Sequence, residues 1–283
     1  MATSPHLRDV IGFEPRPVET GHTTLFALRS DPRFSYCLFV PPGLVRPEAQ
    51  PRLVVVVHGT GRSTAEARQS FADFARWTGC MILLPVFPAG ILGDANRDGY
   101  KYLVEGDIRY DRILLDMVRE VGETYGRDFR TFALAGYSGG GHFTHRFLLL
   151  HPDRLWAASI GAPGSVTLLD PGRDWWVGVR NTRAIFGHDV DLDAIRSVPV
   201  HLVVGDADLE TWEITHRPGG RHWMVGANDA GRTRPERAER LRASFEAAGV
   251  NATLDIAPGV AHDEFKCLEY AKSFLGRIAL SEP

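Results

Sequence analysis

Ser138 stands in Gly136-Tyr137-Ser138-Gly139-Gly140, a G-x-S-x-G pentapeptide. Small residues on both sides let such a serine sit on a strained turn with its hydroxyl exposed above a sheet. The apolar run before it reads as a strand and the residues after it as a helix, which is the context in which the pentapeptide has chemical meaning. A serine hydroxyl is a weak nucleophile near neutral pH. It needs a base within hydrogen-bond reach, and that base needs a carboxylate to hold its tautomer and stabilise its positive charge. The chemistry of such a set is acyl transfer through a covalent intermediate. Among the histidines, His262 follows the last strand pattern across Pro258-Gly259, His58 precedes a glycine at a strand end, and His142 and His145 fall on the helix after Ser138. His151 precedes a proline at a helix end and His201 lies within a strand pattern. Two carboxylates, Asp206 and Asp208, share one turn after Gly205, and their spacing leaves both open as the acid.

The elements that would position these groups alternate. Strand patterns occupy 23–28, 34–40, 52–57, 81–86, 155–160, 198–204 and 252–256, beside the strand that runs into Ser138. The unbroken Leu53 to Val57 run reads as a central strand buried on both faces. Helical patterns fill 64–77, 107–125, 235–248 and the end of the chain to about 278. Ser63 is placed to cap the first of these, with Phe71, Phe74 and Trp77 read as its buried face, and Gly126 is placed to end the second. Alternation of this kind predicts a mainly parallel sheet with helices on both faces. Two stretches break it, at 165–197 and 209–232, and both are too long for ordinary connections. The first is expected to be a lid or cap and the second a loop insertion within a single domain spanning 1–283, since no repeat or linker interrupts the chain.

Composition narrows the classes of partner. Of 283 residues, 44% are hydrophobic and 24% charged, with a formal net charge of −3, so no strong field recruits nucleic acid or anionic lipid. No apolar run approaches the roughly 20 residues that span a bilayer, and Met1 to Gly12 lacks the basic and apolar regions of a secretory leader. The expectation is a cytoplasmic protein with neither nucleic acid nor membrane as partner. Cys37, Cys80 and Cys267 are far apart and outside any C-x-x-C pattern, which predicts buried thiols and neither a disulfide framework nor zinc.

From about residue 20 onward, the pentapeptide around Ser138, the His58-Gly59-Thr60-Gly61 turn and an acid and a histidine after the last two strands resemble the α/β-hydrolase fold. The chain order of serine, aspartate and histidine is that family's order. Within it, His58-Gly59-Thr60-Gly61 together with Gly136-Tyr137-Ser138-Gly139-Gly140 looks most like the esterase, polyester-depolymerase and feruloyl-esterase branch. The resemblance implies Ser138 as nucleophile, His262 as base and Asp208 as acid, because the family's acid commonly sits three residues after the strand-ending glycine. Asp206 then becomes a turn-forming residue. It also implies backbone amides of Thr60 and Gly139 as oxyanion donors, with Gly61 permitting the tight loop, and His58 in a packing role. The activity implied is hydrolysis of a small-molecule carboxylic ester without metal or organic cofactor. An amidase or peptidase with the same triad is the nearest rival enzyme, other α/β-hydrolase chemistry such as a perhydrolase or a carbon-carbon bond hydrolase stays open, and a catalytically silent binding module is the rival outside enzymology.

Two other features bear on the site. Asp94, Asn96, Asp98, Gly99 and Glu105 match the spacing of an EF-hand calcium loop. The loop follows a strand pattern and two prolines instead of a helix, however, and Lys101 occupies a position usually apolar, so it reads as a border of the active-site mouth, with Tyr100 and Tyr102 as substrate contacts. Trp175, Trp176, Trp212 and Trp223 lie in the two insertions and are read as an aromatic wall of the acyl or alcohol pocket. Arg173, Arg180 and Arg183 make the first insertion too polar for a lipid-surface lid.

Overall fold

The computed structural model describes residues 18–46 and 48–281, so the reading of Met1 to Gly12 lies outside the described residues. In chain order the strands are β1 (Gly21–His22), β2 (Phe26–Ala27), β3 (Ser35–Val40), β4 (Arg52–Val57), β5 (Cys80–Val86), β6 (Val104–Glu105), β7 (Ile108–Arg109), β8 (Phe132–Tyr137), β9 (Leu155–Gly161), β10 (Val200–Gly205) and β11 (Ala252–Ala257). The α-helices are α1 (Thr64–Thr78), α2 (Tyr110–Tyr125), α3 (Gly139–Leu150), α4 (Thr182–Phe186), α5 (Leu192–Arg196), α6 (Arg234–Ala247) and α7 (Glu264–Leu280).

Among the described residues, nine strands form one sheet in the order β1-β3-β5-β4-β8-β9-β10-β11, with β2 also paired to β3. From β5 to β11 every neighbouring pair is parallel, and β3 joins β5 antiparallel. Parallel strands put all their carboxyl ends on one edge, which is where ligands collect in open α/β sheets. The turns after β4, β8, β10 and β11, carrying His58, Ser138, Asp208 and His262, therefore leave the same edge.

Why the strands sit where they do follows from burial on both faces. In β4 and β8 every residue except Arg52 is buried, and their side chains alternate between two separate apolar layers. One layer packs under α2 and α3, the other under α1 and α7. The three cysteines are free and buried. Helix ends follow the sequence closely, with left-handed Gly79 and Gly126 (φ 69° and 62°) closing α1 and α2. No helix among the described residues is long and apolar enough to cross a membrane.

Two local expectations are corrected. Ser63 stands at the N-cap of α1, but its hydroxyl makes no capping bond and donates instead to Glu264 Oε2 at 2.7 Å. Trp77 is 68% exposed, whereas Phe71 and Phe74 are buried. Three-residue steps drift by about 60° on a helix with 3.6 residues per turn. Two such steps carry Trp77 off the face that Phe71 defines.

Candidate active site

β8 delivers the chain into α3 through Ser138, whose backbone is held at φ 53° and ψ −114°. A non-glycine residue in that region is strained, and such outliers persist only where the surroundings enforce them. Here Ser138 N–H donates to the Gly161 carbonyl (2.9 Å) and the Ser138 carbonyl accepts from His142 N–H (3.0 Å), so both sides of the turn are fixed.

His262 reaches the site by a close approach of two loops. A β-carbon on Gly205 would stand 2.7 Å from the Val260 carbonyl carbon and 2.9 Å from the Ala261 carbonyl oxygen, so only glycine lets the β10 end lie this near the residues before His262. Asp208, with its carboxylate fully buried, places Oδ2 2.6 Å from His262 Nδ1. Its other oxygen accepts from Arg234 at 2.9 Å, and the same guanidinium reaches Glu213 at 3.1 Å. Asp206 instead accepts the Gly259 N–H at 2.7 Å and closes the turn. The Tyr137 ring lies against His262, with centroids 4.9 Å apart.

His58 is buried and its ring bridges two backbone groups. Nδ1 meets the Gly59 carbonyl at 2.8 Å, and Nε2 accepts the Phe87 N–H at 3.0 Å. The same Gly59 carbonyl accepts the Arg62 N–H at 3.2 Å. Because a trans peptide sets its C=O and N–H on opposite sides, fixing the Gly59 carbonyl turns the Thr60 N–H the other way. That amide lies beside Gly139, where an added β-carbon would meet Thr60 N at 3.1 Å and Lys101 Cε at 2.9 Å. The left-handed residue of this loop is Arg62 (φ 58°) instead of Gly61. Its guanidinium compensates by bonding the carbonyls of Thr60 (2.6 Å), Phe87 (3.1 Å) and Arg97 (2.9 Å).

Burial drives the His58 pKa down to about 4, and it holds those of His142 and His145 well below the ordinary value. His142 and His145 are spent on the backbone of the first insertion, accepting from Gly164 and Thr167 amides at 2.7 and 3.0 Å. A histidine whose folded pKa lies below its unfolded value stabilises the fold fully above about pH 6.5 and loses that contribution as pH falls through the folded value. For His58 the difference is on the order of 3 kcal/mol. The melting temperature is accordingly expected to fall steeply between pH 6.5 and 4, and a flat profile across that range, followed by circular dichroism, would contradict the buried neutral histidines.

Ser138, His262, Thr60 and Tyr102 line one cleft of about 870 Å³. Tyr100 does not line it: the ring is buried and its hydroxyl donates to the His58 carbonyl at 3.2 Å, beneath the Thr60 loop. Trp175 and Trp176 are also buried away from the cleft, where their indole N–H groups donate to the carbonyls of Tyr102 (3.3 Å) and His222 (3.0 Å). Trp212 and Trp223 do stand on the cleft and remain 70% and 41% exposed. The wall over Ser138 thus comes from the 209–232 insertion, and the 165–197 segment serves as its support. Both insertions leave the carboxyl edge, one after β9 and one after β10, but the first is bolted to α3 through His142, His145 and Arg146.

The carboxylates of the calcium-like loop have protein partners. Asp94 pairs with Arg221 and Asp98 with Lys101, each at 2.7 Å, and Glu105 accepts from Asn96 and from Tyr110 (2.6 Å). Sequence reasoning missed Arg234, whose contact with Asp208 spans 26 residues and carries no local signal.

A mainly parallel sheet, nine-stranded among the described residues, with the turn carrying Ser138 at its centre defines the α/β-hydrolase fold, and comparison with solved structures agrees. The chain is similar to poly(aspartic acid) hydrolase-1 from Sphingomonas sp. KT-1 (TM-score 0.71, 20% identity, 90% of this chain and 98% of that one). It is also similar to LpqC, a poly(3-hydroxybutyrate) depolymerase from Bordetella parapertussis (0.69, 21%, 86% and 83%). A ferulic acid esterase matches at 0.61 with 17% identity over 91% and 98% of the two chains. No protein-family model matches the chain, and no curated protein matches it either.

Proposed function

We propose that this protein is a serine hydrolase that cleaves carboxylic esters through an acyl-enzyme. The observation that carries the reading is the convergence, in one cleft, of a strained Ser138 and a His262 whose Nδ1 is held 2.6 Å from a buried carboxylate. Asp208 fixes the tautomer with the proton on Nδ1, which leaves Nε2 of His262 to take the Ser138 proton as Oγ attacks the ester carbonyl. The tetrahedral oxyanion is stabilised by the N–H groups of Thr60 and Gly139, each donor being worth roughly 3 to 4 kcal/mol in well-studied enzymes. Protonated His262 then hands its proton to the leaving alkoxide, and water repeats the sequence to free the acid. None of these steps calls on a metal or organic cofactor.

Arg234 sharpens this reading. A guanidinium 2.9 Å from Asp208 Oδ1 pins that carboxylate and stops it from rotating away from His262. Short-chain aryl esters test the proposal: turnover with a burst of phenol equal to the enzyme concentration is expected, because the acyl-enzyme accumulates. Hydrolysis of the matching anilides at a comparable rate, with esters no better, would favour the amidase reading instead.

A further inference from the structure

The charges around the cleft are unevenly matched. Each acidic side chain that lines it already has a partner: Asp98 has Lys101 (2.7 Å), Glu213 has Arg234 (3.1 Å) and Glu264 accepts from Ser63 (2.7 Å). Arg97 and Arg217 also line the cleft, and neither is within ion-pair distance of an acidic side chain among the described residues.

Behind the wall stand two more cations. Arg146 is fully buried and, among the described residues, is held by neutral oxygens alone, from Lys101 O (2.6 Å), Thr167 Oγ1 (2.9 Å) and Ser165 Oγ (3.1 Å). Its guanidinium lies 4.6 Å from the ring of Tyr102, a lining residue. Arg237, also buried, bonds the carbonyls of Gly231 (2.9 Å), Gly164 and Ile214 (2.8 Å), and Gly164 and Ile214 line the cleft. A buried guanidinium without a carboxylate is expensive to keep. Low-dielectric walls project its field into the adjoining cleft instead of screening it. On a chain of net charge −3, four arginines are thus gathered on and behind one cleft.

From this arrangement we infer that the substrate is an ester carrying a carboxylate on its acyl or alcohol portion, held in the cleft by Arg97 and Arg217. The inference rests on the ester-hydrolase reading and names its substrate class. A guanidinium binds a carboxylate with paired N–H donors, and such charge-assisted bonds are the strong ones. Trp212 and Trp223 at the mouth supply the apolar surface for the rest of the molecule.

Two matched pairs of probes test it. On the acyl side, 4-nitrophenyl hemiglutarate is compared with its neutral methyl ester. On the alcohol side, the butyrate ester of 4-hydroxybenzoate is compared with that of methyl 4-hydroxybenzoate. The anionic member of at least one pair is expected to show a kcat/KM about tenfold or more above its neutral partner. That ratio is expected to shrink as salt is raised, and to fall about fivefold or more in the Arg97→Gln, Arg217→Gln double variant. Ratios near one for both pairs would overturn the inference while Ser138-dependent turnover left the ester reading standing. A preference that survives in the double variant would also overturn it. If no ester of either pair is turned over, the ester reading fails. The carboxylate preference is then decided apart from the bond cleaved, by calorimetry on Ser138→Ala with glutaric acid monoanilide and its methyl ester: tighter binding of the anion upholds a carboxylate-bearing substrate, and equal binding overturns it.

Discussion

Ser138→Ala is expected to lose hydrolysis of short-chain aryl esters by about four to six orders of magnitude, the range seen when the nucleophile of a triad is removed. The fold is expected to remain, because the turn is fixed by backbone bonds from Ser138 N–H to Gly161 and from His142 N–H to the Ser138 carbonyl, which alanine keeps. The hydroxyl itself makes no hydrogen bond within the described residues, so its removal takes away chemistry and little else. Steady-state rates beside a thermal melt check both halves. A variant that retained wild-type rates would remove Ser138 from the mechanism.

Asp208→Asn carries the second largest expected effect, a fall in kcat of about 10⁴. The substituted amide can present its oxygen to only one of the two donors that Asp208 now serves. If the N–H₂ group faces His262 it forces the proton onto Nε2, and if it faces Arg234 two donors meet and the negative charge that would stabilise the imidazolium is gone. Asp206→Asn is the internal control. Its Oδ1 accepts one backbone N–H from Gly259, a role an amide oxygen fills as well, so a loss below about tenfold is expected. Kinetics of the two variants side by side distinguish the assignments, and a larger loss at Asp206 would exchange them.

How much of this was legible in the sequence differs between the frame and the cleft. The strands carrying the site announce themselves through continuous apolar runs, and 52–57 matches β4 to the residue. Ser138 is legible because a strained turn between strand and helix needs small neighbours in fixed positions. Which aspartate faces His262 is not, since residues two apart in a turn point in different directions, and the family resemblance alone favoured Asp208. The structure puts Asp208 against His262 and Asp206 against Gly259.

The insertions were the opaque part. They lack the periodicity that tells a buried face from an exposed one, so four tryptophans looked alike. Trp175 and Trp176 prove to be buried props, while Trp212 and Trp223 stand on the cleft. Tyr100 misled for a related reason: its loop borders the cleft, but its ring turns inward to support the His58 carbonyl. The buried arginines Arg146 and Arg237 could not be found at all, because their partners are main-chain carbonyls and hydroxyls that leave no mark in sequence.

The central claim, that Ser138 is a nucleophile activated by His262, is tested most directly by labelling the wild-type protein with a fluorophosphonate and mapping the adduct by peptide mass spectrometry. A phosphonyl group trapped by an activated serine occupies the position of the acyl group and resists deacylation. One adduct per chain on Ser138, absent from Ser138→Ala and strongly slowed in His262→Ala, is the result the account predicts. An adduct on a different residue, or none in a folded protein, would contradict it.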